Sequence, residues 1–290
     1  MTRADWLTWL GRRAPGSEFV PEVRLLRRFD APEFAGELYA IRTEPDVCER
    51  TLVMLPRERP AKSPAVLMPF YYPERIAGCE FEPPYAPYPP EKQLIAWGAQ
   101  LVRKGFIVYA PETWHLNLVP DGGRDDFSRW KRGAELRKQR HPDWTGIGKL
   151  LHDAQRALDA MAADPRVDAS RMAVAGHSLG GKIAFYAGCF DDRLKTMICS
   201  DFGILWDQTN WSDPWYWGDK VENLRAAGLD HAQLRRTADK PMFLIAGKFD
   251  DERSRSALLP GDGFFDHATG HTPTAEANLA AWDFLDRVLK

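Results

Sequence analysis

The chain has 290 residues, 44% hydrophobic and 28% charged, with 39 Lys and Arg against 41 Asp and Glu for a formal net charge of -2. That length suffices for one large α/β domain burying roughly 75% of its unfolded surface, and the lack of a basic excess argues against nucleic acid as a partner. The opening MTRADWLTWLGRRAPG places charges inside its apolar run, so it reads as neither an export signal nor a membrane span; a cytoplasmic location and no membrane partner are expected.

Four cysteines, Cys48, Cys79, Cys189 and Cys199, lack C-x-x-C spacing and are expected to be free thiols rather than bridges or zinc ligands. After a short amphipathic helix, VRLLRRF, GELYAIRT and CERTLVML read as successive strands separated by Pro and acidic turns, an antiparallel start. SPAVLMPF (63–70) is a continuous apolar run, as a strand covered on both faces should be. Leu94, Trp97, Leu101 and Val102 recur at helical spacing up to Gly105, and GFIVYAP follows as the next buried strand. Residues 111–144 read as a polar loop. Ile147, Leu150, Leu151, Ala154, Ala157, Leu158 and Met161 then form one face of a strong helix.

The alternation continues through MAVAG, a helix after residue 178, the strands LKTMICS (194–200) and PMFLIAG (241–247), and a final helix TAEANLAAWDFLDRVLK. Alternating strands and helices predict a doubly wound, mostly parallel sheet of about eight strands with antiparallel N-terminal members and helices on both faces. No linker marks a second domain, so residues 1–290 are read as one unit. Residues 203–236 are too long and too aromatic for a plain crossover, and are expected to form a small lid; Trp206, Trp211, Trp215 and Trp217 fall within it.

The stretch RMAVAGHSLGGKIAFYAG (171–188) admits two chemistries. Gly176, Gly181 and Lys182 fit the start of the phosphate loop G-x-x-x-x-G-K-[ST], but Ile183 stands where that loop needs a hydroxyl for Mg²⁺. Gly176, Ser178 and Gly180 fit G-x-S-x-G, in which a Ser sits on a tight strand-to-helix turn that small neighbours permit. The second pattern predicts Ser178 as a nucleophile.

A Ser nucleophile needs a base, and the base an orienting carboxylate. On this architecture the chain order should be Ser, acid, His. Asp250, three residues beyond the strand ending at Gly247, leads as the acid, with Asp251 and Asp201 as alternatives. His271, between Gly270 and a helix that Thr272, Thr274 and Glu276 can cap, leads over His267 as the base. His177 is expected to pack or to support the site. One oxyanion donor should be the backbone N–H of Leu179 at the helix N-terminus; the other is assigned to the N–H of Tyr71, with Phe70 next and the Tyr71 or Tyr72 phenol as substitutes. Phe70, Tyr72, Trp206, Trp211, Trp215 and Trp217 are expected to wall the substrate pocket, although each could equally be packing.

With Ser178, Asp250 and His271 so placed, the chain resembles the α/β-hydrolase superfamily over about residues 20–290. DPRVDASRMAVAGHSLGG, FDDRLKTMICSD, PMFLIAGKFD and GHTPTAEANLAAWDFL each look like segments of its dienelactone-hydrolase and acetyl-xylan-esterase-like group. The resemblance implies hydrolysis of a small-molecule ester, an acetyl ester being the leading case, through an acyl-enzyme and without metal or organic cofactor. Many relatives carry His-Gly in the oxyanion loop, whereas this chain has Pro69-Phe70 followed by Tyr71-Tyr72, and its nucleophile is Ser rather than the Cys of dienelactone hydrolase itself. An acyltransferase or lactonase with the same triad, and a noncatalytic ligand-binding protein of this fold, are the alternative readings; a homodimer is left open.

Overall fold

The computed structural model describes residues 2–11, 22–121, 123 and 126–290; parts of the expected N-terminal segment and of the expected 111–144 loop lie outside the described residues. The strands are Val23–Asp30 (β1), Ala35–Glu44 (β2), Val47–Leu55 (β3), Ser63–Leu67 (β4), Ile107–Pro111 (β5), Val167–His177 (β6), Leu194–Ser200 (β7), Met242–Ala246 (β8) and Gly263–Asp266 (β9). They form one sheet in the order β1-β2-β3-β5-β4-β6-β7-β8-β9. Pairing is antiparallel from β1 to β5 and parallel from β5 through β4 to β9, so the antiparallel start and parallel body follow the expectation.

The helices are Arg3–Leu10 (α1), Pro73–Ala77 (α2), Pro90–Gln93 (α3), Trp97–Arg103 (α4), His115–Leu118 (α5), Phe127–Arg140 (α6), Gly146–Ala163 (α7), Leu179–Phe190 (α8), Lys220–Ala226 (α9), His231–Arg235 (α10) and Ala275–Leu289 (α11), with a 3₁₀ turn at Glu252–Ala257. Continuous apolar strands imply a covered sheet, and successive residues go to opposite cores. Ala65, Leu67, Met172, Val174, Met197, Cys199, Met242 and Leu244 pack on one side with Trp6, Ile147, Leu151, Ile183 and Phe185. Val66, Ala173, Ala175, Ile198, Phe243 and Ile245 pack on the other with Trp97, Leu101, Trp282 and Leu285. This period-two division is what the pleat dictates.

Two elements depart from the expectation. The stretch 111–144 contains the 14-residue helix α6, whose buried face is Arg129, Trp130, Gly133, Ala134 and Arg137. With two arginines and a glycine on that face, the apolar repeat that marks a helix is too thin to read. Strand β9 has only four residues, partly exposed, and is held by main-chain pairing to β8. An edge strand that short leaves no periodicity in the sequence.

Helix α7 is tied to the antiparallel strands by charge. Lys149 is buried and meets Glu44 at 2.9 Å, Glu49 at 3.3 Å and, one turn along, Asp153. The clustered carboxylates hold the ammonium ionised against burial. Lys149→Met should therefore lower unfolding stability by about 3–5 kcal/mol, because it leaves buried carboxylates facing one another; chemical denaturation checks this, and a loss below 1 kcal/mol contradicts it.

Candidate active site

Strand β6 ends at His177, and the next residue enters a turn that few side chains tolerate. Ser178 has φ 57° and ψ -117° and sits immediately before α8. The flanking glycines are required by contact: a Cβ on Gly176 would lie 2.1 Å from the Gly180 carbonyl oxygen, and one on Gly180 would lie 2.2 Å from that of Pro69. The turn thereby brings the Ser178 hydroxyl to the carboxyl edge of the sheet and presses the loop after β4 against the first turn of α8. This is the strand–turn–helix setting that G-x-S-x-G requires.

His271 reaches that hydroxyl from the loop before α11, whose N-cap Thr274 accepts from the Ala277 amide. Its Nε2 lies 2.9 Å from Ser178 Oγ, and its Nδ1 lies 2.5 Å from Asp201 Oδ2. His267, the alternative base, is instead held through Nδ1 by Thr269 Oγ1 at 2.8 Å on its own loop.

The acid is a correction. Asp250 does not touch His271; its carboxylate is buried and accepts the amides of Phe202 at 2.8 Å, Gly203 at 2.9 Å and Ile204 at 2.8 Å, and the Ser254 hydroxyl at 3.0 Å. Asp201, directly after β7, has the imidazole on one oxygen and on the other the amides of Phe249 at 2.7 Å and Asp250 at 3.0 Å. The two acids thus cap each other's loops. Strands β7 and β8 are neighbours, so both strand ends lie near His271, and spacing along the chain does not tell which carboxylate turns toward it. Asp251, the other alternative, caps the 3₁₀ turn through the Arg253 amide.

Burial pushes the Asp201 carboxyl up, but the hydrogen bonds from His271 and from the Asp250 and Phe249 amides outweigh it and hold the group below its ordinary value. Burial dominates at Asp250 and raises its carboxyl to about 6 despite its donors. His177 is buried, bonded through Nδ1 to Ser200 Oγ at 3.1 Å, and pushed down to about 3, so it stays neutral beside His271, whose ring centroid is 4.5 Å away.

Two cavities open at Ser178. One, of about 260 Å³, is lined by Phe70, Tyr71, Arg75, Ile95, Phe127, Trp130 and Thr272 with His177, Ser178 and His271. The other, of about 410 Å³, is bounded by Lys182, Thr209, Asn210, Tyr216 and Phe249 and shares Tyr71, Phe127, Ser178 and His271 with the first. Leu179 opens α8, where helix geometry leaves an N–H without an intrahelical partner. The Tyr71 carbonyl accepts the Thr113 amide at 3.3 Å, which clips the loop after β4 beside the site.

Of the expected pocket residues, Phe70 lines the first cavity; Tyr71, expected as an oxyanion donor, lines both. The others do not. Tyr72 is buried as the N-cap of α2. Trp211 is fully buried, its Nε1 donating to the Gly203 carbonyl, and Trp217 donates to the Tyr186 hydroxyl. Trp206 donates to the Leu229 carbonyl and packs on His231, and Trp215 lies edge-on behind Trp130. These indole N–H groups find acceptors within the protein, and Trp211 and Trp217 pack their rings against Tyr186, which holds the 203–217 segment on α8. What it contributes to the site is Thr209, Asn210 and Tyr216.

The walls the sequence reading missed include Arg75, Ile95, Phe127, Trp130, Phe249, Thr272 and Lys182. Lys182 alone had a signal, since it stands four residues after Ser178 on the same helix face. It is buried, donates to the Phe202 carbonyl at 2.8 Å and lies 3.8 Å from the Trp211 ring centroid; burial pushes its ammonium well below the ordinary value.

The fold has parallels among solved structures. A glucuronoyl esterase from Solibacter usitatus superposes with a TM-score of 0.73 at 14% identity, covering 99% of this chain and 91% of its own. The chain has the α/β-hydrolase fold. A CE15 glucuronoyl esterase from Teredinibacter turnerae T7901 gives 0.69 at 19% identity, over 98% and 83% of the two chains. Acetyl xylan esterase 1 from Thermoanaerobacterium sp. JW/SL YS485 gives 0.62 at 13% identity, over 100% and 99%. Residues 148–211, which carry most of α7, Ser178 and Asp201, match the family model described as acetyl xylan esterase (AXE1). No curated protein matches the chain in sequence.

Asp201→Asn should lower kcat on the order of 10³–10⁴-fold, as loss of the orienting carboxylate does in a Ser-His-Asp site. Asp250→Asn should instead act mainly through stability, costing ~1–3 kcal/mol for a disturbed buried acceptor, with the smaller loss of kcat. Steady-state kinetics beside denaturation curves compare them, and a larger kcat loss for Asp250→Asn restores Asp250 as the acid. The pH sign follows from the lowered Asp201 carboxyl: its contribution to stability is complete above the unfolded value near ~3.9 and disappears as pH falls through its lower folded value. Acid unfolding of Asp201→Asn should accordingly lack that part of the wild-type loss.

Proposed function

We propose that this α/β-hydrolase-fold protein is a serine hydrolase that cleaves a carboxylic ester through an acyl-enzyme. The observation that carries the reading is the continuous hydrogen-bond line from Ser178 Oγ through the His271 ring to Asp201, 2.9 Å and 2.5 Å, with the hydroxyl at the mouth of two cavities and the N-terminus of α8 beside it.

In the first half-reaction His271 Nε2 takes the hydroxyl proton as Ser178 Oγ attacks the carbonyl carbon. Asp201 holds Nδ1–H and stabilises the imidazolium that forms. The negative charge on the carbonyl oxygen falls to the amides of Leu179 and Tyr71, and the α8 dipole favours it. When the tetrahedral species collapses, the ester C–O bond breaks and His271 returns its proton to the departing alcohol. Water then enters, gives a proton to His271 and attacks the acyl carbon, and Ser178 leaves with that proton as the acid is released.

A small acyl group, acetyl first, is the substrate side we assign. The 260 Å³ cavity stands near the low end for ligand pockets, and the matching family model and one of the similar structures bear the description acetyl xylan esterase. The test is hydrolysis of p-nitrophenyl esters from acetate to octanoate by the wild type and by Ser178→Ala. The expected outcome is a rate highest for acetate or propionate that falls on the order of 10⁴-fold or more in the variant, as loss of a triad nucleophile does. Equal rates in the folded variant, or none in the folded wild type, contradict the reading.

A further inference from the structure

The structure assigns a specificity role to Arg75: we infer that its guanidinium seats a carboxylate carried by the ester substrate, close to the scissile bond. This rests on the ester-hydrolase reading of Ser178 and narrows its substrate to anionic esters.

Arg75 lies on α2, the short helix after β4 that begins with Pro73 and is packed into the core by Ile76 and Ala77. Its side chain lines the same cavity as Ser178 and His271. Behind that wall its Nε and Nη1 are shielded from solvent and have no hydrogen-bond partner. A guanidinium is always charged and offers five N–H donors, so an arginine on a cavity wall that no carboxylate of the described protein neutralises marks a place for an anionic acceptor.

No carboxylate of the protein supplies it among the described residues. The adjacent Glu74 faces Arg50 at 3.3 Å, and Arg50 also binds Glu112 at 2.9 Å. Asp201 is engaged by His271 and two amides. Arg235 pairs with Asp262 at 2.6 Å and Arg166 with Asp164 at 2.7 Å, whereas the buried Arg137 of α6, whose Nε and Nη1 also lack a partner, does not line this cavity. The rest of the cavity wall offers little competition, since Phe70, Ile95, Phe127 and Trp130 are apolar or aromatic and His177 stays neutral. Apolar walls lower the local dielectric and strengthen a charge-assisted pair with a planar carboxylate.

The carboxylate can belong to the acyl or to the alcohol part, and two matched pairs of esters separate these sources. Monoethyl succinate against ethyl succinamate carries the charge on the acyl side; O-acetylglycolate against 2-acetoxyacetamide carries it on the alcohol side. In each pair the neutral amide has nearly the shape of the anion. The wild type should favour the anion of one pair at least tenfold in kcat/KM, chiefly through KM. Arg75→Gln should lower the anionic ester's kcat/KM at least tenfold more than its neutral partner's, and Arg75→Lys should restore part of the preference. No preference in either pair, or an equal fall for both members in Arg75→Gln, overturns the assignment.

If the folded wild type cleaves none of the four, the ester-hydrolase reading fails for these substrates, and Arg75 is judged by binding of the uncleaved compounds, read from quenching of tryptophan fluorescence, Trp130 being in the wall. Anion-selective binding that Arg75→Gln abolishes supports the seat; equal binding, or none, refutes it.

Discussion

The site depends on an exchange of hydrogen bonds between two loops at the carboxyl edge of the sheet. Asp201, after β7, accepts the amides of Phe249 and Asp250, while Asp250, after β8, accepts those of Phe202, Gly203 and Ile204. Each carboxylate satisfies backbone donors that the other loop would otherwise leave buried and unpaired, a costly condition. The exchange leaves one oxygen of Asp201 facing His271, whose far nitrogen meets Ser178. Asp201 itself has φ 43° and Ser178 φ 57°, so the proposed acid and nucleophile both stand on backbone that local preference disfavours and surrounding packing enforces.

How far the letters reached can be followed residue by residue. Ser178 was legible because glycine spacing reports a steric demand, and the contacts a Cβ would make at Gly176 and Gly180 show that demand directly. His271 was legible from its place before a capped helix. Apolar runs such as AVLMPF and PMFLIAG read correctly as strands because both sides of the sheet are covered. Asp250 was misassigned because adjacent parallel strands end in loops of similar composition, and the choice between their acids is made by side-chain direction, which no periodicity encodes. The tryptophans of 203–217 were misplaced for a related reason: an aromatic cluster announces burial, not which surface it is buried against. Helix α6 was hidden because Arg129 and Arg137 occupy its inner face, with the Arg129 side chain donating to the Leu116 carbonyl.

The cavity walls come from elements far apart in the chain: the loop and short helix after β4, α6, the segment after β7 and the turn before α11. Substrate preference is therefore written in tertiary packing, while the chemistry is written in a few local turns. This division fits the comparisons, in which the fold is kept at 13–19% identity. The cations near Ser178 illustrate it. Lys182 is settled against a carbonyl and a tryptophan ring, whereas Arg75 has buried donors that no part of the described protein uses.

The most direct measurement of the central claim is covalent labelling of the folded protein with a fluorophosphonate, located by peptide mass spectrometry. A hydroxyl that His271 and Asp201 activate should lose its proton, take the phosphorus and expel fluoride at Ser178 alone; His271→Ala should abolish the adduct and Asp201→Asn should slow it far more than Asp250→Asn does. A folded wild type that stays unlabelled, carries the adduct on another residue, or reacts as fast without Asp201 would contradict the relay.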